Sequence, residues 1–339
     1  MSFLNKGFRR IYYFLQKKAV VLSYHRITHM DIDPWEIAVS PENFEQHLQV
    51  LKKYNLVTPD KLSKHLKKGT LKNRMVCVTF DDGYKDNYEF AKPLLEKYNC
   101  PSTIFIPVHF IGQKKLFWWD ELQSIVLGKH DLPQRLSISI AKDSLEFDLG
   151  NDAQFTETQH KKNTSWVWYE EAKTKRAELY LEIWKRLRPL KYLEINQALD
   201  RLKQWGSSNT TFDESSFPMT YDQLKEMIVN PLFDIGIHTV THPALAFHSK
   251  QEQFLEIANC KKQLEELTGH VINTIAYPYG IYNEDTIEVS KQLGLESGFT
   301  TQGHAVLAKD HPLKLARLHV KNWNGAQFEK NLKLWIKGF

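Results

Sequence analysis

Short apolar runs alternate along this chain with stretches whose apolar positions recur every three or four residues. Residues 19–24 (AVVLSY) predict a strand, and His25 follows at once. Residues 41–54 put Phe44, Leu48 and Leu51 on one helical face, with Ser40 as N-cap and Pro41 at the first helical position. A shorter helix is expected over 59–68. Residues 75–80 (MVCVTF) predict a strand that runs into Asp81-Asp82-Gly83, residues 86–98 a helix, and residues 102–107 the next strand. Strand–helix–strand alternation of this kind predicts an α/β fold with parallel strands.

The alternation breaks after residue 110. Residues 111–215 hold an aromatic FWWDEL stretch, a polar strand-like stretch (136–149) and a charged helical stretch (170–190), and 206–216 read as a polar loop. Alternation resumes with a helix at 221–229, a strand at 233–238, a helix at 250–268, a strand at 271–277, a helix at 283–293 and short strands near 297–300 and 315–320. The expected organisation is one domain over 1–339 with 111–215 as a large mixed insertion.

Composition narrows the function classes. Hydrophobic residues make up 42% and charged residues 25% of the 339, which is ordinary for a globular protein. The mean hydropathy is −0.46, and no apolar run approaches the roughly eighteen residues of a spanning helix. A net charge of +5 with no basic arm argues against nucleic acid as a partner. Three cysteines without a CxxC indicate neither a disulfide framework nor a thiolate metal site. Residues 1–18 do not have the form of a signal peptide. They carry a stripe of Leu4, Phe8, Ile11, Tyr12 and Leu15 flanked by Lys6, Arg9, Arg10 and Lys17. This basic amphipathic helix suits either packing over a barrel end or peripheral contact with an anionic membrane. The expected location is the cytoplasm, at the inner face of the membrane if the helix binds lipid.

His25, Asp81, Asp82, His238, Pro278 and Tyr279 fall at or just past the C-terminal ends of predicted strands, the face that carries active sites in parallel barrels. Adjacent carboxylates at Asp81 and Asp82 repel unless a cation or hydrogen bonds compensate, although an Asp-rich turn that only caps a helix looks the same. His238 and His242, four apart in HTVTHP, would share one face of a helical turn and suit one metal, although surface histidines often show that spacing. With a strand-end carboxylate they make a two-histidine, one-carboxylate set that leaves positions open for water and substrate.

Together these residues resemble the polysaccharide deacetylases, the NodB-homology group of carbohydrate esterases (family 4). Residues 79–83 (TFDDG), 238–242 (HTVTH) and 276–280 (AYPYG) look like the family's first three motifs. The resemblance implies a distorted (β/α)7 barrel. It implies Asp81 as general base, with Asp82, His238 and His242 as metal ligands. It also implies Tyr279, next to Pro278, as donor of an oxyanion-binding backbone N–H. The ion implied is one divalent metal; zinc suits the set, and cobalt, nickel, iron or manganese are alternatives. Ala276 stands where members usually keep an arginine that pairs with the base, and Arg317 is the candidate replacement. His319 (ARLHV) only approximates the C-terminal histidine of many members. Residues 21–26 (VLSYHR) resemble members that take a histidine from the first strand, so His25 is preferred over His319 as general acid.

The activity implied is N-deacetylation of an N-acetylhexosamine in cell-envelope polysaccharide or lipopolysaccharide assembly, on a polyprenyl-phosphate-linked precursor, releasing acetate. Alternatives are a peptidoglycan or chitin-type deacetylase and an inactive glycan-binding relative. Trp118, Trp119 and Asp120 are candidates for a sugar platform or for the anchor of the insertion.

Overall fold

The computed structural model describes residues 16–206 and 214–337. The stripe expected of the N-terminal helix, and most of the polar loop at 206–216, lie outside the described residues. Close contacts divide the chain into two units: residues 1–28, 38–111 and 219–339 form one, and residues 29–37 and 112–218 the other.

Among the described residues, seven parallel strands make the ring of the first unit, β1 (Lys18–Tyr24), β2 (Met75–Asp81), β3 (Ser102–Ile106), β4 (Phe233–Ile237), β5 (Thr274–Ala276), β6 (Ser297–Phe299) and β7 (Leu318–His319), and a further short strand, Asn55–Leu56, pairs parallel with the start of β2. Their pairing runs in sequence order from Ala19↔Met75 through Val78↔Ser102, Ser102↔Phe233 and Ile275↔Ile237 to Ile275↔Gly298. A parallel bridge Phe299↔Leu315 carries β6 to the last segment, and Leu22↔Leu318 returns it to β1. The ring is a distorted (β/α)7 barrel. Its late strands are only two or three residues long, and an antiparallel strand, Val306–Leu307, pairs with the start of β1. These strands are shorter than the 271–277 and 315–320 runs that hydrophobicity predicts. The final helix, Gly325–Lys337, has no counterpart among the predicted elements.

Every residue of β1, β2 and β3 is buried, as expected where helices cover the outside of a parallel ring and side chains fill the inside. Val20, Leu22, Val76, Val78, Ile104, Ile106, Ile235, Ile237 and Ile275 join Phe44, Leu48, Leu95, Leu224, Ile257 and Leu264 of the surrounding helices in one core. The alternate residues Ala19, Val21, Met75, Cys77, Phe105, Ala276, Phe299 and Leu315 form a second core inside the ring. Gly236 belongs to this inner set: a Cβ there would lie 2.3 Å from the Phe105 ring. Continuing the inward parity by two residues per step leads from Val21 to His25, from Cys77 to Asp81, from Gly236 to His238 and from Leu315 to Arg317.

Helices fall close to their predicted positions, and Ser40 is the N-cap as expected. Ser40 caps Pro41–Leu51, and Ser249 with Glu252 forms a capping box on Lys250–Thr268, which ends at Gly269 in the left-handed conformation. The helix expected at 86–98 opens instead as a wide turn, Asn87–Ala91, before Lys92–Lys97. Pro93 has no N–H to return to the carbonyl of Glu89, so a regular α-turn is interrupted there.

The second unit contains helices Trp118–Leu127, Lys175–Leu187 and Tyr192–Gly206 and a hairpin, Arg135–Ile140 with Asp143–Asp148, formed by the polar strand-like stretch. Arg176 is fully buried there and donates to the carbonyls of Asp152, Gly128, His130 and Ala153.

Candidate active site

Three loops at the C-terminal end of the ring depart from ordinary backbone geometry. After β2, Asp82 (φ 71°) and Gly83 (φ 70°) are both left-handed. Glycine adopts this freely, and aspartate tolerates it better than most residues. The reversal lets neighbouring carboxylates face different partners. Asp81 is buried, and Arg317 grips both of its oxygens, Nη1 to Oδ1 and Nη2 to Oδ2, each at 2.7 Å. Arg317 is itself 2% exposed, and its Nε donates to the carbonyl of Thr300. Burial alone would raise the Asp81 pKa; the Arg317 charge, aided by His238, outweighs it and holds the carboxyl well below the usual carboxylate range.

The second loop, residues 238–242, is not the helical turn that the four-residue spacing suggests. Thr239 (φ 69°) and His242 (φ 60°) are left-handed, an unusual state for a β-branched residue such as Thr239. Specific bonds hold it. Glu256, from helix Lys250–Thr268, accepts from the backbone N–H groups of Val240 and Thr241 at 2.8 Å and from Thr241 Oγ1 at 2.7 Å. Thr239 Oγ1 accepts from the His242 N–H at 3.0 Å. The loop thereby brings His238 Nε2 and His242 Nε2 to 3.1 Å. His238 Nδ1 lies 2.8 Å from the Ala276 carbonyl. A carbonyl only accepts, so Nδ1 carries the proton and Nε2 presents its lone pair to the site. Burial, with His238 beside it, pushes His242 down to about 3, which keeps the His242 ring neutral.

Asp82 Oδ1 lies 3.5 Å from His238 Nε2 and 3.4 Å from His242 Nε2. It is buried and has no hydrogen-bond partner among the described residues. One carboxylate oxygen and two imidazole nitrogens, all within 4.8 Å of one another, converge on a point that none of them satisfies alone. A buried charged oxygen without a partner is costly, and this donor set suits one divalent ion with coordination positions left open. Asp82, His238 and His242 therefore fit a metal centre.

In the third loop Tyr279 (φ 57°) and Gly280 (φ 67°) turn the chain after buried Pro278. A Cβ on Gly280 would meet Thr301 Oγ1 at 2.1 Å, so only glycine fits. The Tyr279 ring stands edge-on to His242, centroids 4.5 Å apart. Non-glycine left-handed residues cost about 1–3 kcal/mol each and persist where surroundings over-determine them, often at functional sites.

His25, on the loop after β1, points Nε2 at Asp81 Oδ2 at 3.8 Å and is partly exposed. His319 is close by, the two ring centroids 5.7 Å apart. The segment is clamped behind His25: Asp86 accepts from Arg26 Nε at 2.9 Å and Ile27 N at 3.0 Å, and Asn87 Nδ2 donates to the His25 carbonyl at 2.8 Å. Glu256, Asp86 and Asn87 have no signal in the sequence pattern. Glu256 is one glutamate among several on a long charged helix.

The site therefore gathers His25, Asp81, Asp82, His238, His242, Pro278, Tyr279, Arg317 and His319. Trp119 is different. It is buried in the second unit, stacked on Phe117 at 4.8 Å and edge-on to Trp118. That packing makes it part of the unit's core, which is the anchoring alternative, rather than a sugar platform.

The family model for polysaccharide deacetylase matches residues 68–133 and 194–298, about half of the chain. The chain belongs to the polysaccharide deacetylase family. It is a hydrolase of the carbohydrate N-deacetylase class. The poly-β-1,6-N-acetyl-D-glucosamine N-deacetylase of Staphylococcus aureus (strain MRSA252) is 22% identical over 334 residues, covering 94% of this chain and 83% of that protein. Among solved structures, a Streptococcus pyogenes deacetylase, PplD, in complex with acetate superimposes with a TM-score of 0.58 at 21% identity, covering 95% of this chain and 99% of that one. IcaB from Ammonifex degensii gives a TM-score of 0.58 at 19% identity, covering 95% and 97%. Both share the fold. The family match spans Asp81, Asp82, His238, His242, Pro278 and Tyr279; His25, Arg317 and His319 lie outside it and stand on geometry.

Proposed function

We propose that this deacetylase hydrolyses the acetamide of N-acetylhexosamine residues in a cell-surface polysaccharide, with a divalent metal, zinc first, held by Asp82, His238 and His242. The observation that carries the reading is the contrast between two adjacent carboxylates: Asp81 locked in a two-point pair with Arg317, and Asp82 left facing the Nε2 atoms of two imidazoles.

The division of roles follows from those environments. When bound, the ion supplies Lewis acidity that polarises the acetamide carbonyl and makes a water easier to deprotonate. Asp81, ionised at any working pH and oriented by Arg317, takes the proton of the attacking water. The backbone N–H of Tyr279 binds the oxyanion, a donor of a kind worth about 3 kcal/mol of barrier. His25 then protonates the sugar nitrogen as the C–N bond breaks, and acetate and a free amine leave. His25 supports this role better than His319 because it faces Asp81 directly.

The first substrate to test is β-1,6-linked N-acetylglucosamine, which the name of the S. aureus relative specifies for that protein. The sequence also motivates a polyprenyl-phosphate-linked precursor in lipopolysaccharide or related assembly, at the cytoplasmic face of the membrane and engaged through the basic N-terminal segment. Among the described residues no helix is long and apolar enough to cross a membrane. Acetate release from a panel decides among these: β-1,6-linked oligomers, polyprenyl-linked and nucleotide-linked N-acetylhexosamines, and chitin and peptidoglycan fragments. Release from a hexosamine oligomer or carrier-linked sugar is expected. No release from any member by metal-loaded protein would overturn the reading.

A further inference from the structure

Trp168 and Tyr169 are adjacent in the chain and 47% and 56% exposed. They are not loose. The Trp168 ring stacks on Trp35 at 5.4 Å, and Trp35 lies on Trp184 at 4.3 Å, so three indoles form a pile whose outer member faces solvent. Trp184 is buried, and Trp35 Nε1 donates to Tyr180 Oη at 2.7 Å. The Trp168 N–H donates to the Pro34 carbonyl, Lys173 Nζ to the Ser165 carbonyl at 2.7 Å, and Tyr169 Oη to Glu36 Oε2 at 3.0 Å. Glu36 is left-handed (φ 53°), so the turn that presents its carboxylate is strained. Glu170 and Glu171 follow directly and are exposed. The Tyr169 ring stands at 83° to Trp168, which gives two differently inclined apolar faces with carboxylates beside them.

We propose that Trp168 and Tyr169, with Trp35 behind them and Glu36 at the rim, form a platform for a β-linked hexosamine strand, a glycan site distinct from the metal centre. The chemistry matches: a pyranose offers an apolar C–H face to an indole while its hydroxyl and amide groups donate to carboxylates at the rim. The exposed area, on the order of 200 Å² for two rings, is far below the roughly 800 Å² per partner of a stable protein interface. Rigid rings lose little entropy on binding. The proposal rests on the carbohydrate-deacetylase reading, because a polymeric substrate extends beyond the sugar being hydrolysed and needs support elsewhere on the protein.

The test is titration calorimetry of the metal-loaded chain with a β-1,6-linked N-acetylglucosamine hexamer, alongside acetate release from the same hexamer. Trp168→Ala and Tyr169→Ala are each expected to weaken hexamer binding about three- to tenfold. Trp168→Phe should restore most of it, and Val229→Ala, exposed in the other unit, should leave it unchanged. Thermal unfolding checks that each variant is folded; Tyr169→Ala removes the more exposed ring and is decisive if Trp168→Ala is not. Unchanged hexamer affinity in Tyr169→Ala, with acetate still released by the unsubstituted chain, overturns the platform alone. Self-association that Tyr169→Ala abolishes, with hexamer affinity unchanged, assigns the face to a second copy and also overturns it. Hexamer binding that depends on these rings, with no acetate released from any glycan, supports the platform and overturns the parent reading.

Discussion

Asp81 and Asp82 are neighbours with opposite surroundings, and the difference has consequences in titration. Asp81 is held below its usual range in the folded state, so the unfolded chain binds its proton more tightly. The stability it contributes is complete above about pH 4, the ordinary aspartate range, and is lost as the pH falls through the lower folded value. His242 acts in the same direction from a higher starting point. Its folded pKa is pushed from 6.5 down to about 3, so its contribution is complete above about pH 6.5 and declines below it. Metal-free protein should therefore lose stability on acidification in two stages, read by denaturant midpoints from pH 7.5 to 3. Asp81→Asn should remove the loss that sets in below about pH 4, and a profile flat from pH 7 to 4 would contradict the burial of His242. His25 and His319 are separated by kinetics. His25→Ala should cut kcat about a hundredfold or more, in keeping with a lost general acid, and His319→Ala much less; the reverse order would move the proton donor to β7.

At the level of elements, the loops are where sequence pattern loses its hold. Strands β1 to β4 and the helix Lys250–Thr268 are legible because continuous apolar runs and capping residues are local signals. The His238–His242 loop is not: four-residue spacing implies a helix, but Thr239 and His242 are left-handed. Their geometry is imposed by Glu256, on the helix that follows. Replacing Glu256 by Gln keeps the size but weakens acceptance from two N–H groups and a hydroxyl. Metal affinity, measured by competition with a chromophoric chelator, should fall about tenfold or more, as for other groups that orient ligands from behind. Retained affinity would mean the loop holds its shape unaided. Gly236 makes a separate point about strands. Gly236→Ala would drive a methyl into the Phe105 ring inside the barrel and should cost about 1–3 kcal/mol in equilibrium unfolding.

For the whole molecule, closure of the ring explains why residues at opposite ends of the chain meet. The inward parity of each strand directs His25, Asp81, His238 and Arg317 to one mouth, and the first three are legible as strand-end residues from the apolar runs that precede them. Arg317 is legible only as a substitute for a missing arginine, because β7 is two residues long and carries no periodic signal. The second unit is legible as an interruption but not in its contents: Trp119 is core, whereas Trp168 and Tyr169, which carry no distinguishing signal in the sequence, are exposed. Periodicity does not distinguish a buried indole from a displayed one. The central claim is that Asp82 belongs to a metal site and Asp81 to the chemistry. Metal content and acetate release from a β-1,6-linked N-acetylglucosamine hexamer, measured on the same samples of the unsubstituted chain and Asp81→Asn, test it most directly. One metal per chain in both, with acetate released only by the unsubstituted chain, is the predicted result; undiminished release by Asp81→Asn would contradict it.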